Sequence, residues 1–374
     1  MSDQTIGRRL KALRLSQKLS QERMCEILGL NDRQSVSQIE VGQRAVKAEE
    51  LIRAIAHFDV PLADITNPFL LFEKESFSWR QNRVPLEDLD RFERQAGEWI
   101  GAYRELTRLT GETLPAIMPR LGLTYESAFE DAVAFGEKVA RELDLALYPA
   151  HGLAQTLEDR YGILVLMVDT LPNISGAACR LPELNAILIN RHESEGRRNS
   201  DLAHEFFHLL TWDTMKPERV ESSDSAPDVA PATAKGRRNQ RIERLADNFA
   251  QGLLIPTSTL EALGQPPQHD LTAWLLAAAD RLGVTAKNLK WRLVNSGWAP
   301  AVAAVDNEAL ARAARDRGLS DPPAPFSKAF MRTLALALDK GHISARRAAA
   351  LLEITVEDLA DLCVLHGVER PAGI

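Results

Sequence analysis

Leu202-Ala203-His204-Glu205-Phe206-Phe207-His208 is the stretch from which the rest of the chain is best read. Its spacing puts His204 and His208 at i and i+4, one turn apart on one helix face, so both imidazoles reach a single metal ion. Glu205 follows the first histidine and lies near that face. There a carboxylate can take a proton from an attacking water and pass it to the leaving amine. Leu202, Ala203, Phe206, Phe207, Leu209 and Leu210 are uncharged, which suits a buried helix running from about Glu195 to Trp212. The competing reading is an accidental HExxH on a core helix, and a third ligand decides between the two.

A catalytic zinc takes three protein ligands and keeps one position for water. Glu243 is the best-placed third ligand. Its helix, 241–254, carries apolar residues at Ile242, Leu245, Ala246, Phe249, Ala250 and Leu253, so Glu243 borders the buried stripe. Asp247, one turn on, is placed to accept the ring N–H of a zinc-bound histidine. The bland alternative makes both acids exposed helix charges. His151, His192 and His269 fall in loops and are weaker alternatives as ligands. No oxyanion stabiliser stands out among Tyr161, Arg180 and Arg198.

Around this motif the pattern is mainly α with a small β-sheet, an α+β class. Helices are expected at 86–110, near 113–121 and over 125–146. The apolar run 163–168, residues 173–180 and residues 186–190 read as strands. Residues 215–240 are rich in Pro, Ser and charge and read as a mobile insertion. Residues 270–298 and 326–368 are helical in pattern, with a connector at 299–325 between them. Residues 67–85 read as a connector with aromatic anchors.

The first 66 residues have a different character. Ser20 and Asp32 are good N-caps, and Gly29 and Gly42 stand where helices end, so short helices with tight turns follow one another. Two further short helices, 51–58 and 61–65, complete a five-helix unit. Residues 1–47 hold nine Lys/Arg against five Asp/Glu, a local +4, although the chain as a whole is at −7. A basic end on an acidic body fits a small DNA-reading module attached to something else.

Composition sets the outer bounds. With 374 residues, 45% apolar and 26% charged, the chain reads as two or three soluble domains. No stretch approaches 18 apolar residues, and the first residues lack the apolar core of a secretion signal. Cys25, Cys179 and Cys363 are scattered, as for reduced thiols. The expectation is a cytoplasmic protein with no membrane contact.

Two resemblances sharpen this reading. The span 125–298 resembles the ImmA/IrrE metallopeptidases, through Leu202-Ala203-His204-Glu205-Phe206-Phe207-His208 followed by Glu243-x-x-Ala246-Asp247-x-Phe249-Ala250-x-x-Leu253-Leu254-Ile255-Pro256. The resemblance implies a zincin-like domain with His204, His208 and Glu243 as zinc ligands and Glu205 as general base. It also implies site-specific cleavage of a protein partner, often a helix-turn-helix repressor. The 34 residues between His208 and Glu243 are a departure, because they include the insertion.

Residues 6–65 resemble the XRE class of helix-turn-helix proteins, through Ile6-Gly7-x-x-Leu10-x-x-Leu13-Arg14, Leu19-Ser20-Gln21-x-x-Met24 and Val36-Ser37-x-Ile39-Glu40-x-Gly42. In such a domain the second helix of the pair enters the major groove of double-stranded DNA. Arg33, Gln34, Ser35 and Gln38 would point outward there, with Gln21 and Arg44 as contacts to phosphates or base edges. The domains expected are therefore 1–66 for DNA, 67–124 as connector and linker, 125–298 for the peptidase and 299–374 as a helical C-terminal element. A homodimer is expected, because one copy of the motif binds DNA weakly. Two functions fit: a regulatory zinc protease that cuts a partner or itself, or a transcriptional regulator whose metal site serves sensing or stability.

Overall fold

Two N-caps start the helix pair in the N-terminal unit. Ser20 Oγ accepts the Arg23 N–H and Asp32 Oδ1 accepts the Ser35 N–H, so α2 (Gln21–Leu28) and α3 (Arg33–Glu40) begin where the sequence supplies an acceptor. Gly29, at φ +67°, takes the left-handed turn between them at no steric cost. With α1 (Asp3–Ser16), α4 (Ala48–Phe58) and α5 (Leu62–Thr66) they enclose Leu10, Met24, Leu28, Val36, Ile39, Ala54, Phe58 and Ile65. Inside this unit the Arg14 guanidinium grips the Glu40 carboxylate at 2.6 and 3.1 Å, and Gln21 Nε2 donates to the same carboxylate at 3.0 Å. A buried charge pair persists only when its polar atoms are satisfied in this way.

The computed structural model describes residues 3–67, 69–71, 77–112, 118–119, 121–222, 233–317 and 321–374. It divides into two units, one of residues 1–75 and 93–109, the other of residues 76–92 and 110–374. The long helix α6 (Leu86–Thr110) therefore contributes residues to both.

In the second unit β1 (Phe77–Gln81), α7 (Phe129–Glu142), α8 (Leu153–Tyr161), β2 (Leu164–Val168), β3 (Ile174–Arg180) and β4 (Asn185–Asn190) precede the motif helix α9 (Glu195–Thr211). After it come β5 (Val220–Ser222), α10 (Ala234–Leu254), α11 (Thr257–Leu263), α12 (Leu271–Leu282), α13 (Ala286–Asn295) and α14 (Asn307–Asp316). The chain ends with α15 (Lys328–Asp339), α16 (Ala345–Leu352) and α17 (Val356–Leu365). The strands form one mixed sheet in the order β2-β4-β3-β1-β5, antiparallel at β4/β3 and β3/β1 and parallel at its two outer pairs. The helix α9 packs on β3 and β4, and α10 packs on α9 and α7. Phe206, Phe207 and Phe249 are fully buried between them, each burying the large apolar area that makes aromatic side chains dominate a core.

Several expectations are corrected. The supposed connector 67–85 contains β1, whose Trp79 is fully buried. The stretch read as a mobile insertion is ordered at both ends, by β5 and by the first turns of α10, while 223–232 lie outside the described residues. The connector 299–325 contains α14, and Val302, Val305 and Leu310 join the same core as the motif helix. Helix α8, bounded by Gly152 and Gly162, was not anticipated. Of the helix expected near 113–121, residues 113–117 and 120 lie outside the described residues.

The helix carrying Glu243 is fixed by close backbone contact. A Cβ on Gly252 of α10 would lie 2.1 Å from the Val133 carbonyl oxygen of α7, and one on Gly136 would lie 2.3 Å from the Phe249 carbonyl oxygen. The two helices thus touch through glycine, and an added methyl must push them apart. Gly252→Ala is expected to cost about 3 kcal/mol of stability in urea unfolding and to weaken metal binding by shifting α10. Unchanged stability and metal affinity would show that α7 does not set the position of α10.

Candidate metal centre

The motif helix delivers two imidazoles to one point. His204 and His208 are fully buried, and their Nε2 atoms stand 3.0 Å apart. From α10, Glu243 brings Oε2 to 3.1 Å from His204 Nε2 and Oε1 to 3.8 Å from His208 Nε2. From β5, Glu221 brings Oε2 to 3.4 Å from His208 Nε2 and 3.9 Å from His204 Nε2. Each of the four residues offers a donor atom within 4.8 Å of the others. Ligands bound tetrahedrally at zinc distances lie roughly 3.3 Å from one another. The separations bracket that value, so two nitrogens and two oxygens fit one zinc ion.

Electrostatics points the same way. Asp247 Oδ1 lies 2.9 Å from His204 Nδ1, which places the ring proton there and turns the Nε2 lone pair toward the centre. That lone pair then faces two carboxylates and a second imidazole, an arrangement that only protons or a cation can hold together. Among protons alone the site is divided. Burial and the Arg80 charge oppose the His204 imidazolium, yet its hydrogen bonds to Asp247 and Glu243 prevail and raise it to about 10. Burial instead holds His208 down to about 3. Burial, with the charges of Glu243 and Glu205, pushes Glu221 well above the usual carboxylate range.

Glu205 is fully buried, and neither of its carboxylate oxygens has a hydrogen-bond partner. Burial lifts it to about 7, against the pull of His204 and Arg80. The Cβ-less Gly176 of β3 lies beneath it; a Cβ there would be 3.7 Å from Glu205 Cγ. Ionised buried carboxylates are normally paired, so a bare one beside a group of donors able to hold a metal is placed to accept a proton.

Arg80 was not foreseen. It projects from β1 to 3.7 Å from both Asp201 and Asp247, and these acids, with Glu205 and Glu243, outweigh its burial and raise its pKa. It supplies the positive charge that a pocket so rich in acids needs. A cavity of about 780 Å³ approaches the centre, and His204, Glu243, Asp247 and Arg80 line it together with Arg197, Arg244 and Trp291.

Two of the alternative ligands are engaged elsewhere. His192 pairs with Asp169 at 2.5 Å, and His151 lies 3.1 Å from the Arg281 carbonyl oxygen. His269 is outside the donor group. Arg180 bonds Asp213, Arg198 bonds the Arg191 and Glu193 carbonyls, and Tyr161 stacks on Phe206.

On the N-terminal unit, Arg33 and Gln34 are exposed on α3, with Arg33 Nε donating to Gln21 Oε1 at 3.1 Å. Ser35 Oγ bonds the capping Asp32, and Gln38 is half-buried. Arg44 is held by Glu50 through two bonds of 2.6 and 2.9 Å, and Glu50 also accepts the Lys47 N–H that starts α4.

Two family models match the chain. A helix-turn-helix model covers residues 10–65, and an IrrE N-terminal-like domain model covers residues 158–294. An XRE-type helix-turn-helix is thus joined to an ImmA/IrrE-like, peptidase-type domain in one chain. All four donor residues lie inside the second match, whereas β1, with Ser78 and Arg80, lies outside it. No curated protein matches the sequence. No helix among the described residues is long and apolar enough to cross a membrane.

Proposed function

We propose that this chain is a DNA-binding regulatory zinc metalloendopeptidase, which cuts a specific protein partner or itself. One observation carries the reading: a buried Glu205 carboxylate with both oxygens unpartnered, one residue from His204 and beside a group of zinc-type donors. A site built only for structure has no use for that uncompensated acid, which costs stability where it stands.

His204, His208 and Glu243 would hold the zinc. When bound, zinc polarises the scissile carbonyl and makes water acidic enough to deprotonate near neutral pH. Glu205 receives the proton of the attacking water on a carboxylate oxygen and delivers it to the leaving amine. Asp247 keeps the His204 proton on Nδ1, and Arg80 limits the mutual repulsion of the acids. Peptide reaches the centre through the cavity between α9, α10 and α13. The N-terminal unit places this activity on double-stranded DNA, as a homodimer spanning two half-sites.

A second reading is favoured by Glu221, whose oxygen completes a set of four protein donors. A closed four-ligand site belongs to structural or sensory zinc, and the chain would then be a regulator without proteolysis. The two readings separate on incubating the zinc-loaded protein, with and without DNA, with the product of the adjacent gene and with its own truncated forms. Discrete cleavage that a chelator stops and zinc restores supports the peptidase. Absence of any zinc-dependent cut favours the regulator.

For the DNA side, Arg33→Ala combined with Gln34→Ala is expected to relax sequence discrimination by about 1–3 kcal/mol for each base that the two side chains read with paired hydrogen bonds. Nonspecific affinity should fall much less. Equal footprints for the variant and the original protein would remove α3 from the role of recognition helix.

A further inference from the structure

The edge strand β5 does two things at once. It is three residues long, and it closes one side of the sheet by pairing with β1 through Trp79↔Val220, Arg80↔Glu221 and Gln81↔Ser222. The Trp79 N–H donates to the Arg219 carbonyl at 2.8 Å. Around it the segment is held by the Ser78 Oγ bond to the Glu218 carbonyl at 2.8 Å and by ion pairs of Arg219 with Asp90 and Lys235 with Glu218, which weaken with salt.

Glu221 contrasts with this loose frame. Its side chain is 4% exposed, its Oε1 bonds Ser78 Oγ at 2.5 Å, and its Oε2 has no hydrogen-bond partner. That oxygen points between the two imidazoles. A sheet edge is where an extended peptide adds as a further strand, and the fourth position of a catalytic zinc is where water must enter. β5 occupies both.

We infer that β5 is a built-in plug: Glu221 Oε2 is a fourth protein ligand in the place of water, and the strand covers the β1 edge along which an extended substrate pairs. The inference rests on the peptidase reading above and adds its regulation. The enzyme is latent while β5 is paired to β1, and an extended polypeptide that displaces the strand removes Glu221 from the metal in the same motion. Opening exchanges one carboxylate oxygen for one water and breaks no covalent bond. The pairing to be broken is only three residues long, and the extended polypeptide that replaces β5 on β1 makes the same kind of backbone bonds in its place.

The test uses the full chain loaded with Co2+, whose visible spectrum reports the ligands, and acetohydroxamate as a small probe that needs an open position. The wild-type spectrum should not change at millimolar acetohydroxamate. Glu221→Ala should bind the probe with a clear spectral change, and it should lose zinc to a chromophoric chelator at least tenfold faster. Glu221→Gln, which keeps the shape of the side chain, guards against a folding defect in the alanine variant and should release zinc faster as well. Ser78→Ala, which leaves Glu221 without its anchor, should fall between the wild type and Glu221→Ala.

Equal access of the probe to wild type and Glu221→Ala overturns the plug, whether or not the protein cuts a substrate. If Glu221→Ala opens the site and neither protein cleaves any polypeptide, the ligand assignment of Glu221 stands and the peptidase reading fails. Cleavage that rises at least tenfold in Glu221→Ala supports both.

Discussion

Glu205→Gln is expected to abolish cleavage while leaving one zinc per chain. The amide matches the carboxylate in shape, and Glu205 is placed beside the donor group without belonging to it, so the metal keeps all its ligands. What the amide cannot do is accept a proton. General base catalysis is worth roughly 10²–10⁴-fold, and the same residue must also return the proton to the leaving amine, so the loss should reach the upper part of that range. Glu205 shares its enclosure with Glu243 and Glu221, both acidic, and substituting it also relieves their repulsion. The folded variant should therefore be no less stable than the wild type. Metal content by atomic absorption, DNA binding by footprinting and cleavage by mass spectrometry separate these effects. Undiminished cleavage by Glu205→Gln would remove Glu205 from the role of general base.

The parts of this centre that sit on regular helices could be read from the sequence alone. His204 and His208 are visible because helical geometry fixes what i and i+4 mean, and Glu243 and Asp247 because the apolar stripe of α10 orients them. The same holds for the N-terminal unit, where Ser20, Gly29 and Asp32 act through local backbone chemistry and the helices follow. What escaped depends on contacts distant in sequence. Phe77-Ser78-Trp79-Arg80-Gln81 lacks clean alternation, being buried at four of its five positions, and it becomes a strand because β3 pairs with it from about a hundred residues away.

Glu221 was hidden for the same reason. A three-residue strand inside a Pro-, Ser- and charge-rich stretch has no periodicity to detect, and its register is set by β1 alone. The one signal available was position. Glu221 lies between His208 and Glu243 in sequence, on the chain that connects the two donor helices, but Asp213 and Glu218 share that position and are not in the donor group. Arg80 gave no signal in sequence beyond standing next to Trp79, and only the tertiary fold reveals that it faces Asp201 and Asp247.

Removing the metal is expected to lower the melting temperature of the second unit by about 10 °C. The four donors converge on one point, and burial opposes the charged form of His208. Without a cation this point recruits protons, as His204 does through Asp247 and Glu243, or loosens, and in either case the folded state gives up the free energy of metal binding. With free zinc at a thousand times its dissociation constant, binding to the folded state alone adds roughly 4 kcal/mol. For a unit of this size each kcal/mol moves the midpoint by about 2–4 °C. A chelator should therefore produce the shift, and added zinc should reverse it. His204→Ala and Glu243→Ala should melt at one temperature with or without zinc, because each removes a ligand and the geometry that the others depend on. The core of the first unit, built from residues such as Leu10, Met24 and Ile39, contains none of the ligands, so helix-turn-helix DNA binding should survive chelation. A melting temperature indifferent to chelator in the wild type would mean that the converging donors are held by protons, and the zinc assignment would fall with it.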